Sequence, residues 1–161
     1  MQAPSLLIVW HSRTGTAEAL AAAACEGAGQ AARSLRAEEA VPEAFIQAQG
    51  YLFIAPENLG SLSGMMKEMF DRCYYPLLGK VEGRAYATIV AAGSDGEQAG
   101  KQIDRIVTGW RLKRIAEPII VNTEAQTPGA ILAAKTVPQD RLTEARELGE
   151  AFAEGLRQGV F

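Results

Sequence analysis

Apolar positions follow two rhythms along this chain. Four short runs, SLLIVW at residues 5–10, GYLFIA at 50–55, AYATIVAA at 85–92 and PIIVNT at 118–123, are continuous rather than alternating, the pattern of strands covered on both faces of a parallel sheet. Between them the apolar residues fall at helical spacing. Residues 17–32 are rich in alanine, small enough to lie close to a sheet, although Gly27 and Gly29 weaken the far end. In SGMMKEMFDRCYY, Met65, Met66, Met69, Phe70 and Cys73 mark one helical face, while Lys67, Glu68, Asp71 and Arg72 form opposite-charge pairs four residues apart on the other. Ala99, Ile103, Ile106, Val107 and Trp110 predict another helix. Leu142, Ala145, Leu148, Phe152 and Leu156 predict a C-terminal one, opened by Pro138.

Strands that alternate with helices imply crossover units and an open, doubly wound α/β sheet. A weak edge strand near SLRA, residues 34–37, completes five strands, although its alanine and charges suit a helix nearly as well. Residues 124–137 show no clear period and read as a long connection to the last helix. With 161 residues, 48% of them hydrophobic, the chain is long enough to bury one core, so residues 1–161 are expected to form a single domain. A net charge of -3 without a Lys/Arg cluster argues against nucleic acid. MQAPSLLIVWHS has no basic leader and its apolar run is too short to span a membrane, which predicts a cytoplasmic protein with no membrane partner. Cys25 and Cys73 lack metal-ligand spacing and fall on apolar helix faces, and His11 is the lone histidine, so no metal site is expected.

The chemistry concentrates where the first strand gives way to HSRTGTAEAL. In a doubly wound sheet, ligands sit beyond the carboxyl ends of the strands. Ser12, Arg13, Thr14, Gly15 and Thr16 offer hydroxyls and main-chain N–H groups at the unpaired start of a helix, which suits a phosphate. The same residues also suit a plain helix cap under a solvated loop. Two further strand ends carry glycine and polar residues: Asn58, Gly60 and Ser61 after the second buried run, and Gly93, Ser94 and Gly96 after the third. Together they form a rim for a flat ligand with a phosphate tail. Several other chemistries are absent. No G-x-G-x-x-G follows the first strand, no G-x-S-x-G elbow occurs, and neither cysteine is followed by a phosphatase-like arginine. GEQAGKQ is one residue short of a P-loop and has Gln102 where Ser or Thr would hold magnesium. A phospho-receiver would want acidic residues behind the first strand, where His11 and Ser12 stand.

HSRTGTAEALA resembles the flavodoxin-type FMN phosphate loop, roughly [ST]-x-T-G-x-[TA]. PENLGSLSGMMKEMFDR is similar to the segment that lines the flavin ring in WrbA-type NAD(P)H:quinone reductases and related FMN-dependent reductases, and AAGSDG stands where their third flavin loop falls. The resemblance implies a flavodoxin-like five-stranded parallel sheet of order 2-1-3-4-5, an arrangement for which the flavodoxin fold is itself the standard example, with FMN at the switch between strands 1 and 3. By position, Ser12, Arg13, Thr14, Gly15, Thr16 and Ala17 would hold the phosphate. Pro56, Glu57, Asn58, Leu59, Gly60 and Ser61 would lie along the ring, with Leu59 and Gly60 amides near N5 and O4. Ala92, Gly93, Ser94 and Asp95 would close the other edge. Ala17 supplies no final hydroxyl, and Arg13 adds a charge. Trp10, Trp110, Tyr74 and Tyr75 are the aromatics available to stack on a ring, with packing the commoner role. The flavin would do the chemistry, with no catalytic acid or base required. The resemblance further implies NAD(P)H and a small quinone-like acceptor as partners, and leaves a homodimer or homotetramer open. A flavodoxin-like electron carrier without its own NAD(P)H activity is the alternative, and a scaffold without cofactor a third.

Overall fold

The computed structural model describes residues 5–161; residues 1–4, on which the expected start of the domain and the expectation of no leader fall, lie outside it. The central sheet is built from β1 (Leu6–Trp10), β2 (Ala32–Arg36), β3 (Gly50–Asn58) and β5 (Ala85–Ala92), with the short strands β4 (Ser61–Leu62), β6 (Lys113–Arg114) and β7 (Ile119–Asn122). Its order is β2-β1-β3-β5, with β6 and β7 both pairing the outer edge of β5. The run expected as a strand at 118–123 is β7, and β6 adds a short unexpected piece along the same edge. Every pairing is parallel except that of β3 with β4.

Neighbouring residues on one strand face different cores, which is why the apolar runs are continuous. Leu6, Ile8, Leu52 and Ile54 pack beneath α1 (Thr16–Ala28) and α6 (Gln139–Gln158). Leu7, Val9, Tyr51 and Phe53 pack beneath α2 (Pro42–Gln47), α3 (Gly64–Leu77) and α4 (Glu97–Gly109). The buried face of α3 includes Met66, Met69, Phe70 and Cys73, and its outer face carries Lys67–Asp71 and Arg72–Glu68 ion pairs at 2.6 and 2.9 Å.

The weak edge strand expected near residues 34–37 is present at 32–36, where pairing along β1 outweighs the helix that its alanines and charges also allow. Two local departures from the sequence expectations have physical causes. The buried run at 50–55 continues to Asn58 and turns back on itself, so the second polar segment is a hairpin rather than a loop. Residues 124–137 contain a short helix, α5 (Pro128–Leu132), whose first turn is capped by Thr127 Oγ1 accepting the Ala130 N–H at 3.2 Å.

Helices α1 and α6 touch at backbone distance. A Cβ placed on Gly149 of α6 would lie 2.0 Å from the carbonyl oxygen of Ala24 on α1. No rotamer change relieves a clash with backbone, so the two helices must separate to admit a side chain. Gly149→Ala is therefore expected to lower stability by roughly 1–3 kcal/mol despite alanine's better helix propensity. Urea unfolding checks this, and an unchanged midpoint would contradict the close contact.

Candidate functional site

The carboxyl ends of β1, β3 and β5 open into one cleft of about 700 Å³, within the usual size for a small-molecule site. At one end lies the turn from β1 into α1. Gly15 precedes the helix with φ 108°, a value at which any side chain is strained. Its N–H donates to Ser12 Oγ at 3.1 Å, which leaves the Ser12 hydroxyl proton free to point elsewhere. The main-chain ladder of α1 begins with the Ala19 N–H donating to Gly15 O at 3.0 Å. The amides of Thr16, Ala17 and Glu18 stand ahead of that ladder, at the positive end of the helix. Thr16 and Ala17 are buried, Thr14 is half-buried and Arg13 is exposed.

The opposite wall is the β3–β4 hairpin. Pro56, Glu57, Asn58, Leu59 and Gly60 line the cleft, whereas the Ser61 hydroxyl donates to Gln102 Oε1 of α4 at 3.0 Å. The same Gln102 oxygen accepts the Leu62 N–H at 2.8 Å. In the sequence Gln102 only spoils a P-loop pattern, and no signal ties it to residues forty positions earlier. The turn is made by Leu59 and Gly60 at φ 54° and 69°, the mirror-type conformation that fits the twist of a hairpin. Leu59 is 105% exposed.

Glu57 is neither solvated nor aimed at the cleft alone. Its two carboxylate oxygens accept the N–H groups of Gly96 at 2.9 Å and Ala99 at 3.0 Å, capping α4 from a different element. Asp95 adds a second carboxylate there by accepting the Glu97 N–H at 3.2 Å. The positive end of α4 is thereby neutralised by carboxylates bonded to its amides, whereas α1 carries only the exposed Glu18 in its first turn and no side chain caps its amides. Ala91, Ala92, Gly93 and Ser94 complete this side.

His11 joins the two sides from below. Its Nδ1 lies 3.0 Å from the Ser63 hydroxyl at the head of α3, and both side chains are buried. Burial pushes the imidazole below its ordinary pKa, with Arg13 acting in the same direction and Glu38 opposing it. None of the four candidate stacking aromatics lines the cleft. Trp110 packs edge-on against Phe45 and Phe70, Trp10 donates to Ser34 Oγ at 3.1 Å, and Tyr74 and Tyr75 sit beside one another near the end of α3.

The fourth wall was not expected from sequence. Thr123, Ala125, Ile131, Leu132 and Lys135, all from the segment that leads to α6, also line the cleft. The segment is tied down at both ends. Thr123 N–H donates to Ala92 O and Lys135 N–H to Thr14 O, each at 2.8 Å, and the Gln126 side chain donates to Gly93 O at 3.1 Å. These bonds involve main chain and an isolated amide, so no periodicity announces them. Among the described residues no three His, Cys, Asp or Glu side chains group as a metal site, and no helix is long and apolar enough to cross a membrane.

A doubly wound sheet with an amide-lined helix start at one end of its switch-point cleft is the arrangement of a flavodoxin-like nucleotide protein. The sequence pattern of a family described as NADPH-dependent FMN reductase matches residues 16–121, more than half of the chain, and the chain belongs to that family of FMN-binding flavoproteins. A flavodoxin of Aquifex aeolicus is 30% identical over 95 residues, which are 56% of this chain and 51% of that protein, so the chain spans about half the length of this relative. In fold, the chain resembles the flavodoxin, WrbA-like protein from Agrobacterium tumefaciens, with TM-score 0.76, 18% identity and 95% and 97% of the two chains covered. It likewise resembles the Megasphaera elsdenii flavodoxin, with TM-score 0.70, 21% identity and 92% and 98% covered.

The Glu57 cap yields a direct test. Glu57→Ala strips the acceptor from two amides at the start of α4 and leaves Gln102 as the hairpin's remaining tie to that helix, with an expected loss of about 1–2 kcal/mol. Chemical denaturation measures it. A variant as stable as the parent would mean that water replaces the carboxylate without cost.

Proposed function

We propose that the cleft holds FMN, with its phosphate at the turn Ser12–Ala17 and its ring between the hairpin and the loop Ala92–Asp95, and that the protein uses it to oxidise NAD(P)H and reduce a quinone-like acceptor. The observation that carries this reading is the asymmetry of the cleft. One end offers unpaired amides and hydroxyls at a positive helix start, and the hairpin at the other presents Pro56 and an exposed Leu59, while Ile131 and Leu132 add apolar lining from α5. That is the polarity of a phosphate monoester joined to a flat aromatic system.

The donor set fits such a ligand. Three hydroxyls, those of Ser12, Thr14 and Thr16, and the amides ahead of Ala19 supply hydrogen bonds to a dianion. When bound, FMN supplies the redox chemistry by taking a hydride from the nicotinamide and releasing two electrons to the acceptor. The chain's own contribution is placement and field. Glu57 and Asp95 are engaged with α4, which keeps their negative charge at the ring end and away from the phosphate end.

Leu59 supports the ring assignment independently. A leucine with φ 54° and a fully solvated side chain is strained and unburied at once, and such strain accumulates where it serves a ligand. Leu59→Gly is expected to raise the stability of the free protein by roughly 1 kcal/mol, the usual cost of a left-handed L-residue. The same change should weaken flavin binding. Opposite signs in thermal unfolding and in flavin titration are the signature, and a variant that binds FMN as tightly as the parent removes Leu59 from the site.

The activity itself is tested anaerobically. FMN-loaded protein is expected to lose its absorbance near the flavin maximum on addition of NADPH or NADH and to regain it on addition of a quinone. A flavin that stays oxidised until a separate reductase is added would identify an electron carrier instead. A protein that fails to quench FMN fluorescence would refute the site.

A further inference from the structure

Lys135 occupies an electrostatically awkward place. It is half-buried, and its ammonium donates to the carbonyl oxygens of Ile131 at 3.0 Å and Ala133 at 2.5 Å. Its third neighbour is the Thr14 hydroxyl at 3.4 Å. All three are neutral, and no carboxylate pairs with Lys135 among the described residues. The ammonium also stands beside the positive end of α1, next to the turn whose amides precede the helical ladder. A cation beside the start of a helix is disfavoured unless negative charge lies between them.

The surrounding bonds hold that cation in position. The Lys135 N–H donates to Thr14 O at 2.8 Å, which fixes the backbone of the segment after β7 against the turn before α1. The two carbonyls belong to α5 and the residue after it, so the side chain folds back over its own helix rather than extending into water. Only the long contact to Thr14 needs to give way for the third ammonium proton to meet a ligand oxygen. Of the two cations that line the cleft, Arg13 is exposed, and Lys135 is the one placed by hydrogen bonds.

We propose that Lys135 is the counter-ion of the ligand's terminal phosphate, supplied by the segment between the last strand and the last helix, and that it makes the site selective for a phosphate monoester over the uncharged flavin alcohol. This deepens the assignment of the phosphate to Ser12–Ala17 and rests on it. A monoester carries close to two negative charges at neutral pH. Riboflavin has the same ring and side chain without that charge, so comparison of the two isolates the contribution of Lys135.

The experiment is titration of FMN and of riboflavin, by fluorescence quenching, into the parent protein, Lys135→Met and Lys135→Arg. Methionine keeps an unbranched apolar stem of similar reach and removes the charge. Lys135→Met is expected to weaken FMN binding roughly ten- to a hundredfold, the range for a hydrogen bond to a charged group, and to leave riboflavin binding unchanged. FMN binding by the parent should fall more steeply with added salt than that of Lys135→Met. Lys135→Arg should retain most of the preference for FMN. An FMN-to-riboflavin affinity ratio in Lys135→Met equal to that of the parent overturns the proposal and leaves the phosphate turn standing. Equal weakening of both flavins also overturns it, because Lys135 would then act through shape alone. A parent protein that binds FMN no better than riboflavin overturns the phosphate assignment together with it.

Discussion

The carboxylate of Glu57 on the amides of Gly96 and Ala99 organises the upper edge of this molecule. It joins the hairpin that extends β3 to the helix that follows β5, two segments that the sheet alone would leave as independent loops. It also decides where an anion is welcome. Two parallel strands feed helices whose starts face the same cleft, and each start attracts negative charge. Glu57 and Asp95 satisfy one of them from within the chain. The start of α1 keeps its amides, and the cleft acquires a direction: charge-accepting at Thr14–Ala17, apolar and acid-flanked at Leu59.

The parts of this arrangement that depend on burial were legible in the sequence, and those that depend on single hydrogen bonds were not. AYATIVAA at 85–92 coincides with β5 because every residue in it is buried between two helical layers, so only the buried Thr88 interrupts an otherwise apolar run. β2 was ambiguous for the opposite reason: its residues are exposed or half-buried, and only the pairing with β1 makes them extended. The hairpin is hidden in the sequence because Leu59 is a poor residue for a left-handed turn, and nothing local advertises one. Gln102, Thr123 and Lys135 act on residues far away in sequence through isolated contacts, which leave no periodic trace. The turn Ser12–Thr16 was visible as a candidate from its chemistry, but the choice of FMN came from resemblance to a family rather than from the residues themselves.

Aliphatic rather than aromatic side chains surround the broad end of the cleft. Trp110, Phe45 and Phe70 are consumed by the core under α3 and α4, where their edge-on contacts fill the space between sheet and helices. Leu59, Ile131 and Leu132 make pliable walls, with 105%, 51% and 78% of their surfaces exposed. Such walls can yield to acceptors of different outline, whereas a rigid stacking partner would impose one face and one distance.

The contact between Gly149 and Ala24 joins α1 to α6, helices separated by every long strand but the first. During synthesis α1 emerges long before the helix that covers it, and its alanine face must remain without its mate until α6 has been made. The segment just before α6 brings the residues that close over Thr14. A chain made only as far as β5 therefore has all its long strands and an unfinished pocket.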